Sequence, residues 1–245
     1  MNDTIPATGH LLGAADIRRI AADAGISPTK KFGQNFVIDP GTVRRIVREA
    51  GVTAADHVME VGPGLGSLTL AILETGATMT AVEIDPPLAE RLPGTVAEFM
   101  PEATSRLTVV NRDALTVTPE NVPDFSDDAS FTLVANLPYN VATPILLTLL
   151  ERFDNLGSFL VMVQKEVADR LAAKPGSKIY GTPSVKLAWY GTAERVGTIG
   201  AMCSGRLPMW IPRSSNSPGI RPMTRLPREL RTAQTTAHNG NSYFV

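Results

Sequence analysis

One short stretch constrains the fold of this chain more than any other feature. It runs from Val58 to Thr69 and consists of an apolar segment, three glycines at alternating positions and the start of a helical pattern. Because glycine adopts backbone conformations that other residues avoid, Gly62, Gly64 and Gly66 predict a tight loop that a ligand can approach closely. A strand that enters a helix through such a loop is typical of α/β sheets, which bind ligands beyond the carboxyl ends of their strands.

Further apolar segments alternate with helical patterns along the chain. The predicted strands cover 57–61, 78–84, 107–111, 131–136 and 158–164, with a sixth starting at 184–190, and the predicted helices cover 16–25, 39–50, 69–74, 88–99, 144–152 and 166–173. Asp16 and the pair Asp39-Pro40 are the expected starts of the first two helices. Because the strands are nearly all apolar and are separated by helices, the sequence predicts an α/β fold whose parallel sheet is covered on both faces.

Composition narrows the class of protein. The chain has 245 residues, 43% of them hydrophobic, and a net charge of −1, which suits a globular protein and gives no overall attraction to polyanions. It contains no apolar run of the roughly 20 residues that a membrane span needs. The N-terminus lacks a secretory pattern and Cys203 is the single cysteine, so we expect a cytoplasmic protein without a disulfide or a metal site. Basic residues cluster between Lys165 and Lys178, either as a binding surface or as solvated helix faces.

Acidic residues at the ends of the second and third strands are candidate ligands for a cofactor. Glu83 ends the second strand, where a carboxylate can bind ribose hydroxyls, and Asp113 follows the third, where it can accept a bond from an adenine amino group. A glycine loop alone also occurs in dinucleotide-binding proteins. The alternative is that Glu83 and Asp113 only cap helices.

The fourth strand ends in a polar and aromatic turn, Asn136-Leu137-Pro138-Tyr139. An adenine amine is a poor nucleophile because its lone pair is delocalised into the ring. The Asn136 oxygen and a backbone carbonyl of Leu137-Pro138 can hold its two hydrogens, and Tyr139 offers a face on which a flipped base can stack. Proline fixes the backbone and donates no competing N–H group. The turn therefore indicates methyl transfer to adenine by positioning, with an ordinary turn around a buried tyrosine as the alternative.

These motifs together resemble one family, the ribosomal RNA adenine N6-dimethyltransferases of the small-subunit type, over roughly residues 12–200. The matching segments are 31–36, 60–66, 83–85, 113–114, 136–140, 164–171 and 180–185. The resemblance implies a Rossmann-like sheet, S-adenosylmethionine as cofactor, and dimethylation of two adjacent adenosines in 16S RNA of the 30S subunit or its precursor. It also implies that a monomer acts on this RNA.

The resemblance assigns a role to individual residues. Asn35 and the backbone at Val37 would contact the cofactor, and Gly62 would line its methionine part. Glu83 would bind the ribose hydroxyls and Asp113 the adenine, while Asn136 would bridge the cofactor and the target amine.

The C-terminal segment departs from the family pattern. Family members continue with a Phe-x-Pro-x-Pro-x-Val-Asp-Ser motif and a helical RNA-binding domain, whereas residues 201–245 show neither and carry six arginines, no lysine and one acid. Codons can be chosen for a family-like peptide, Arg-Asn-Val-Phe-Trp-Pro-Ala-Pro-Asn-Val-Asp-Ser-Ala-Leu-Val, that give residues 201–215 when read one base later. We therefore expect a catalytic domain at 1–200, with an extension at 1–30, and an out-of-frame, irregular tail at 201–245 that leaves the sheet one strand short. A divergent disordered tail is the alternative.

Three other functions remain open at this point. A large-subunit adenine methylase giving macrolide resistance would share the cofactor motifs. A ribosome-assembly factor that binds RNA without catalysis would retain particle binding alone. An NAD-type oxidoreductase would need a hydride-accepting site, for which we find no candidate residues.

Overall fold

The computed structural model describes residues 10–25, 39–125, 129–138, 140–197 and 206–212. The chain divides into two units, Met1–Arg213 and Ser214–Val245, and the fold below is that of the first unit. Its helices are α1 Ala14–Asp23, α2 Pro40–Glu49, α3 Ser67–Glu74, α4 Pro86–Phe99, α5 Ala142–Arg152, α6 Lys165–Leu171 and α7 Thr182–Tyr190. Its strands are β1 His57–Val61, β2 Thr78–Glu83, β3 Leu107–Asn111, β4 Phe131–Asn136, β5 Leu156–Gln164, β6 Glu194–Arg195 and β7 Arg206–Pro212.

The strands form one sheet in the order β3-β2-β1-β4-β5-β7-β6. Neighbours from β3 to β5 pair in parallel, while β7 runs antiparallel to β5 and β6. The chain moves outward from β1 to β3 and then crosses to β4 on the other side of β1. The sheet therefore has its switch point between β1 and β4, where α/β sheets bind ligands.

Helices cover both faces of the sheet, as the apolar strands predict. One buried cluster packs α1 to α4 against Val58, Leu160 and Met162, and the other packs α5 to α7 against neighbouring residues of the same strands, such as Met59 and Val161. Side chains alternate between the two faces of a strand, so both faces need apolar residues. The described part of the chain contains no helix long and apolar enough to cross a membrane.

The predicted start of α2 is confirmed, but that of α1 is wrong. The Asp39 carboxylate accepts hydrogen bonds from the N–H and hydroxyl groups of Thr42, and Pro40 opens the helix. In α1 the N-cap is Gly13, and Asp16 lies one turn inside, where its carboxylate accepts the Gly13 N–H group at 2.9 Å. An acidic residue in the first turn satisfies N–H groups as an N-cap does, so the sequence alone places the boundary three residues late.

The predicted strand at 184–190 is also wrong, because this segment is helix α7. Its apolar residues alternate in sequence, but only Ser184 and Leu187 are buried, three residues apart as on one side of a helix. Pro183 lies in the first turn and the Ser184 hydroxyl accepts the Gly181 N–H group at 3.2 Å. These helix-start signals outweigh the alternation.

The expectation of an unpaired edge beyond β5 is wrong as well. Strand β7 falls in the segment expected to be irregular, yet it pairs with β5 from Arg206, opposite Gln164, to Pro212, opposite Ser158. Two prolines in seven residues argue against a strand, because proline donates no N–H group to the ladder. Here they lie near the edge of the sheet, where only the two-residue strand β6 follows.

Candidate active site at the carboxyl edge of the sheet

The glycine loop follows β1 at the carboxyl edge of the sheet. Gly62, Gly64 and Gly66 all have positive φ, at 71°, 58° and 97°, which explains why glycine is required at these positions. A Cβ atom on Gly62 would meet nothing within 4 Å, whereas one on Gly66 would lie 2.9 Å from Leu92 Cδ1. Gly62 therefore borders open space that a ligand can fill, while Gly66 allows α4 to pack closely against the loop.

Glu83 ties the loop to the end of β2. Its side chain is 4% exposed, and its two carboxylate oxygens accept the N–H groups of Gly64 at 3.1 Å and Asp85 at 3.0 Å. Burial raises the pKa of Glu83, and the two N–H donors oppose this rise. Each carboxylate oxygen has a further lone pair, so Glu83 can hold the loop and accept two ribose hydroxyls at once.

Asp113 lies on the same edge as Glu83. Glu83 pairs with Asn111 in the sheet, and the Glu83 carbonyl accepts hydrogen bonds from Asn111 Nδ2 at 2.8 Å and from the Arg112 N–H group at 2.9 Å. Asp113 follows directly and its Oδ1 atom accepts the Leu115 N–H group at 2.9 Å. Asp113 therefore does cap the turn that follows it, which is the alternative role that the sequence allowed. The same hydrogen bond fixes the direction of its carboxylate at the carboxyl edge of the sheet.

Asn136 ends β4 across the switch point from the glycine loop. Met59 pairs with Leu133, and counting three residues onward along both strands places Asn136 level with Gly62. Asn136 pairs with Met162 of β5, and the Leu137 N–H group donates to the Met162 carbonyl at 3.2 Å. The carboxyl edge of the sheet therefore brings Asn136, the predicted amine-binding residue, beside the glycine loop predicted to bind the cofactor.

The turn after Asn136 is anchored by its proline. The Pro138 carbonyl accepts the N–H groups of Val141 at 3.3 Å and Ala142 at 3.0 Å, at the start of α5. These two bonds use both of its lone pairs. Tyr139, Asn35 and Val37 lie outside the described residues.

Sequence reasoning missed three residues at this site. Glu60 is buried in β1, where its carboxyl accepts the Thr69 hydroxyl of α3 at 2.6 Å. Ser67, in the first turn of α3, has a buried hydroxyl without a hydrogen-bond partner in the described part of the structure. Ile84 follows Glu83 and is 60% exposed. A polar residue inside the apolar strand β1 is the one signal that could have identified Glu60.

The residues of this edge fit a nucleoside cofactor. Gly62 borders open space, Ser67 contributes an unpartnered buried hydroxyl, Glu83 presents carboxylate oxygens, and Ile84 exposes an apolar side chain suited to one face of a base. Apolar surface with a few converging polar groups is typical of small-molecule sites.

Comparison with known proteins gives the family. The family model for ribosomal RNA adenine dimethylase matches residues 27–204. The chain belongs to this family. It is 91% identical over 192 residues to the ribosomal RNA small subunit methyltransferase A of Bifidobacterium adolescentis, a match that covers 78% of this chain and 63% of that protein. It therefore spans less than two thirds of the length of that relative.

Two further matches compare this member of the ribosomal RNA adenine dimethylase family with a second relative and with a solved structure. The ribosomal RNA small subunit methyltransferase A of Streptomyces coelicolor is 51% identical over 232 residues, covering 95% of this chain and 77% of that protein. The crystal structure of the 23S rRNA methyltransferase ErmE superposes with a TM-score of 0.61 at 24% identity, covering 76% of this chain and 72% of that chain. The latter likeness shows the fold, a Rossmann-like methyltransferase sheet.

Proposed function

We propose that this chain binds S-adenosylmethionine at the carboxyl edge of its sheet and transfers methyl groups to N6 of adenines in small-subunit ribosomal RNA. The observation that carries the proposal is the placement of the glycine loop, Glu83, Asp113 and Asn136 along one carboxyl edge that includes the switch point. The relatives named as small-subunit methyltransferases support this substrate over large-subunit RNA. We also propose dimethylation of two adjacent adenosines within the 30S subunit or its precursor, by a cytoplasmic monomer.

In this proposal the glycine loop and the strand ends beside it would hold the cofactor. Glu83 accepts the ribose hydroxyls while it keeps the Gly64 N–H group, and the Asp113 carboxylate binds the adenine amino group. Gly62 lines the methionine part, together with Asn35 and the backbone at Val37 of the N-terminal segment. The bound cofactor would supply a methyl group on a positively charged sulfur.

Asn136 and a backbone carbonyl of the Leu137-Pro138 segment would hold the two hydrogens of the target amine. This arrangement makes the nitrogen more tetrahedral and aims its lone pair at the methyl group, with Tyr139 stacked on the base. With the cofactor bound, the amine nitrogen would accept the methyl carbon as the carbon–sulfur bond breaks, and it would then release one proton to water. Because the reacting groups are held in line, positioning supplies most of the rate and no strong base is required.

We further propose that residues 1–200 form the catalytic domain and that 201–245 are read out of frame. The match to the family model ends at residue 204, and the match to the B. adolescentis protein covers 192 residues at 91% identity but only 63% of its length. A match of high identity that leaves part of both chains uncovered is expected from a shift of one base, although the match to the S. coelicolor protein, at 51% identity, covers 95% of this chain and so extends into the tail.

The proposal predicts that two substitutions separate binding from turnover. Glu83→Ala should weaken cofactor binding in calorimetry on this chain by about 1.5–3 kcal/mol, the range for a hydrogen bond to a charged group. Asn136→Ala should leave cofactor affinity nearly unchanged and lower turnover, measured with a version whose reading frame is restored, because its contact matters most in the transition state. Turnover within about threefold of wild type, under ~0.7 kcal/mol, would remove Asn136 from the mechanism. Equal cofactor affinities would remove Glu83 from the site.

A further inference from the structure

The exposed face of helix α7 is unusually apolar for a solvent-facing surface. The described part of the structure exposes four large hydrophobic side chains, and three of them, Ile179, Val185 and Trp189, lie within eleven residues of one another. Trp189 is 63% exposed. Val185, Lys186 and Trp189 are spaced as neighbours on one side of a helix, while Leu187 anchors the opposite side in the core.

This surface is also positively charged. The segment from Ala172 to Ala193 contains Lys174, Lys178 and Lys186 and no acidic residue. All three lysines are exposed. The nearby Asp169 on α6 already pairs with Lys165 at 2.6 Å and with Arg195 at 2.9 Å, so it contributes little negative charge to the surface.

We propose that the α7 surface, formed by Lys174, Lys178, Ile179, Val185, Lys186 and Trp189, binds single-stranded segments of the substrate RNA, with Trp189 stacking on a base and the lysines contacting phosphates. This inference rests on the proposed function, because it adds a contact for the same substrate. Exposed aromatic side chains among basic residues are the combination that binds single-stranded nucleic acid.

Charge complementarity favours RNA over the chain's own C-terminal segment and over a second copy of the chain. Residues 213–245 contain five arginines and one acid, so they share the sign of the lysines. A second copy that packed the same face against its own would oppose lysine to lysine. An RNA strand supplies both negative phosphates and flat bases.

The surface is also connected to the reaction site. Helix α6 begins immediately after β5, whose Met162 pairs with Asn136. The Ser184 hydroxyl of α7 donates to the Arg170 carbonyl near the end of α6 at 2.5 Å. A helix of seven residues spans roughly 10 Å, so an RNA with a base at Asn136 can continue onto α7.

The test uses the full chain with Trp210→Phe, which leaves Trp189 as its single tryptophan. The probe is a single-stranded oligoadenylate of about 12 nucleotides, a length within the range bound by single-strand-binding folds. We expect saturable quenching of Trp189 fluorescence. Affinities of all variants are measured by the fluorescence anisotropy of an end-labelled oligoadenylate, and we expect Trp189→Ala to bind at least about fivefold more weakly, the low end of the stacking range. Trp189→Leu, which keeps apolar area without an aromatic face, should behave like Trp189→Ala.

Salt dependence tests the phosphate contacts. Lys178→Ala with Lys186→Ala should lower the slope of log affinity against log salt by about 0.7 for each lysine, as expected for single strands. Arg18→Ala, on the exposed side of α1 on the other face of the sheet, is the matched control and should leave the slope unchanged.

Three results would overturn the inference. These are an unquenched Trp189, Trp189→Leu binding like wild type, or equal quenching by polyphosphate, which has charge but no bases. Binding of an acidic polypeptide in place of the oligoadenylate would assign the surface to a protein. Cofactor binding, measured separately by calorimetry on the same variants, distinguishes failure of this surface from failure of the proposed function.

Discussion

At the scale of single residues, the buried carboxyl of Glu60 couples the site to pH. Glu60 is 1% exposed, accepts the Thr69 hydroxyl and faces the carboxyl of Glu83. Burial raises the pKa of Glu60 from its ordinary value of 4.5 to about 8, while the bond from Thr69 opposes the rise and Glu83 adds to it. Between these two values the folded chain keeps a proton that the unfolded chain releases.

Stability should therefore fall as pH rises from about 4.5 to about 8. The unfolded state binds fewer protons than the folded state in this window, so the free energy of unfolding decreases by up to about 1.4 kcal/mol per pH unit from this one group. Glu60→Gln keeps an oxygen for Thr69 but does not titrate. Urea unfolding of both proteins at several pH values should show the wild type losing stability relative to Glu60→Gln. Parallel stability curves would show that Glu60 is charged in the folded state.

Gly62 offers a test of where the cofactor lies. Gly62 and Gly51 have similar φ, 71° and 67°, and a Cβ atom on either would meet nothing within 4 Å. Alanine at either position should cost about 1–2 kcal/mol of stability through its backbone conformation. Only Gly62→Ala would place a methyl group in the proposed cofactor site, so it should weaken S-adenosylmethionine binding at least tenfold in calorimetry, with Gly51→Ala within twofold of wild type. Equal affinities would mean that the cofactor does not contact Gly62.

The sequence predicted the site residues that follow from strand ends. Glu83 and Asn136 each end an apolar strand and Asp113 lies two residues beyond one, and parallel strands bring their carboxyl ends to one edge. The contacts of Glu60 and the unpartnered Ser67 hydroxyl could not be predicted, because they depend on how α3 packs back onto β1. Asn35, Val37 and Tyr139 stay predictions.

At the scale of elements, Gly66 governs how α4 packs against the glycine loop. A Cβ atom there would lie 2.9 Å from Leu92 Cδ1 and 3.5 Å from Thr95 Cγ2, and Leu92 is fully buried. Gly66→Ala should therefore cost about 1–3 kcal/mol more stability than Gly51→Ala, which has only the backbone penalty. The measurement is urea unfolding of both variants.

A double-mutant cycle identifies the clash. In a Leu92→Ala background the space beside Gly66 opens, so Gly66→Ala should there cost only the backbone penalty. If the cost is the same in both backgrounds, Leu92 is not what excludes a side chain at Gly66.

Elements were predictable where burial imposes a pattern. Strands β1, β3 and β4 begin and end as predicted because each is an apolar run closed by polar or glycine residues. Helix α7 has only one side buried and its apolar residues alternate in sequence. The alternation is typical of a strand, so the prediction of a strand at 184–190 was wrong. Strand β7 depends on the hydrogen-bonding edge that β5 provides, and that edge is not visible in the sequence of β7 itself.

At the scale of the whole molecule, the two layers around the sheet have separate tasks. The layer of α1 to α4 packs against the glycine loop, so it shapes the cofactor side of the site. The layer of α5 to α7 follows Asn136 along the chain and carries the α7 surface. A substrate RNA that reached both Asn136 and Trp189 would therefore contact this second layer.

The reading frame after codon 200 should decide how well this molecule methylates RNA. In this chain, residues 201–215 lack the family's Phe-x-Pro-x-Pro motif, whose phenylalanine would flank the target base opposite Tyr139. Because stacking on an aromatic is worth about 1–3 kcal/mol per base, restoring the frame should raise methyl transfer to unmethylated 30S particles by roughly fivefold to a hundredfold. In the restored protein, replacing that phenylalanine by alanine should remove most of the gain.

Nucleotide sequencing tests the cause directly. We expect a deletion of one base near codon 200, and a neighbouring frame that continues the family motif. Cofactor affinity should be the same in both forms, because the cofactor residues all precede residue 140. Equal methylation by both forms would show that the strand β7 of this chain substitutes for the family motif. A gene with no family-like peptide in either alternative frame would refute the frameshift, and the tail would then be a native extension of the sheet, beginning with the pairing of Arg206 and Gln164.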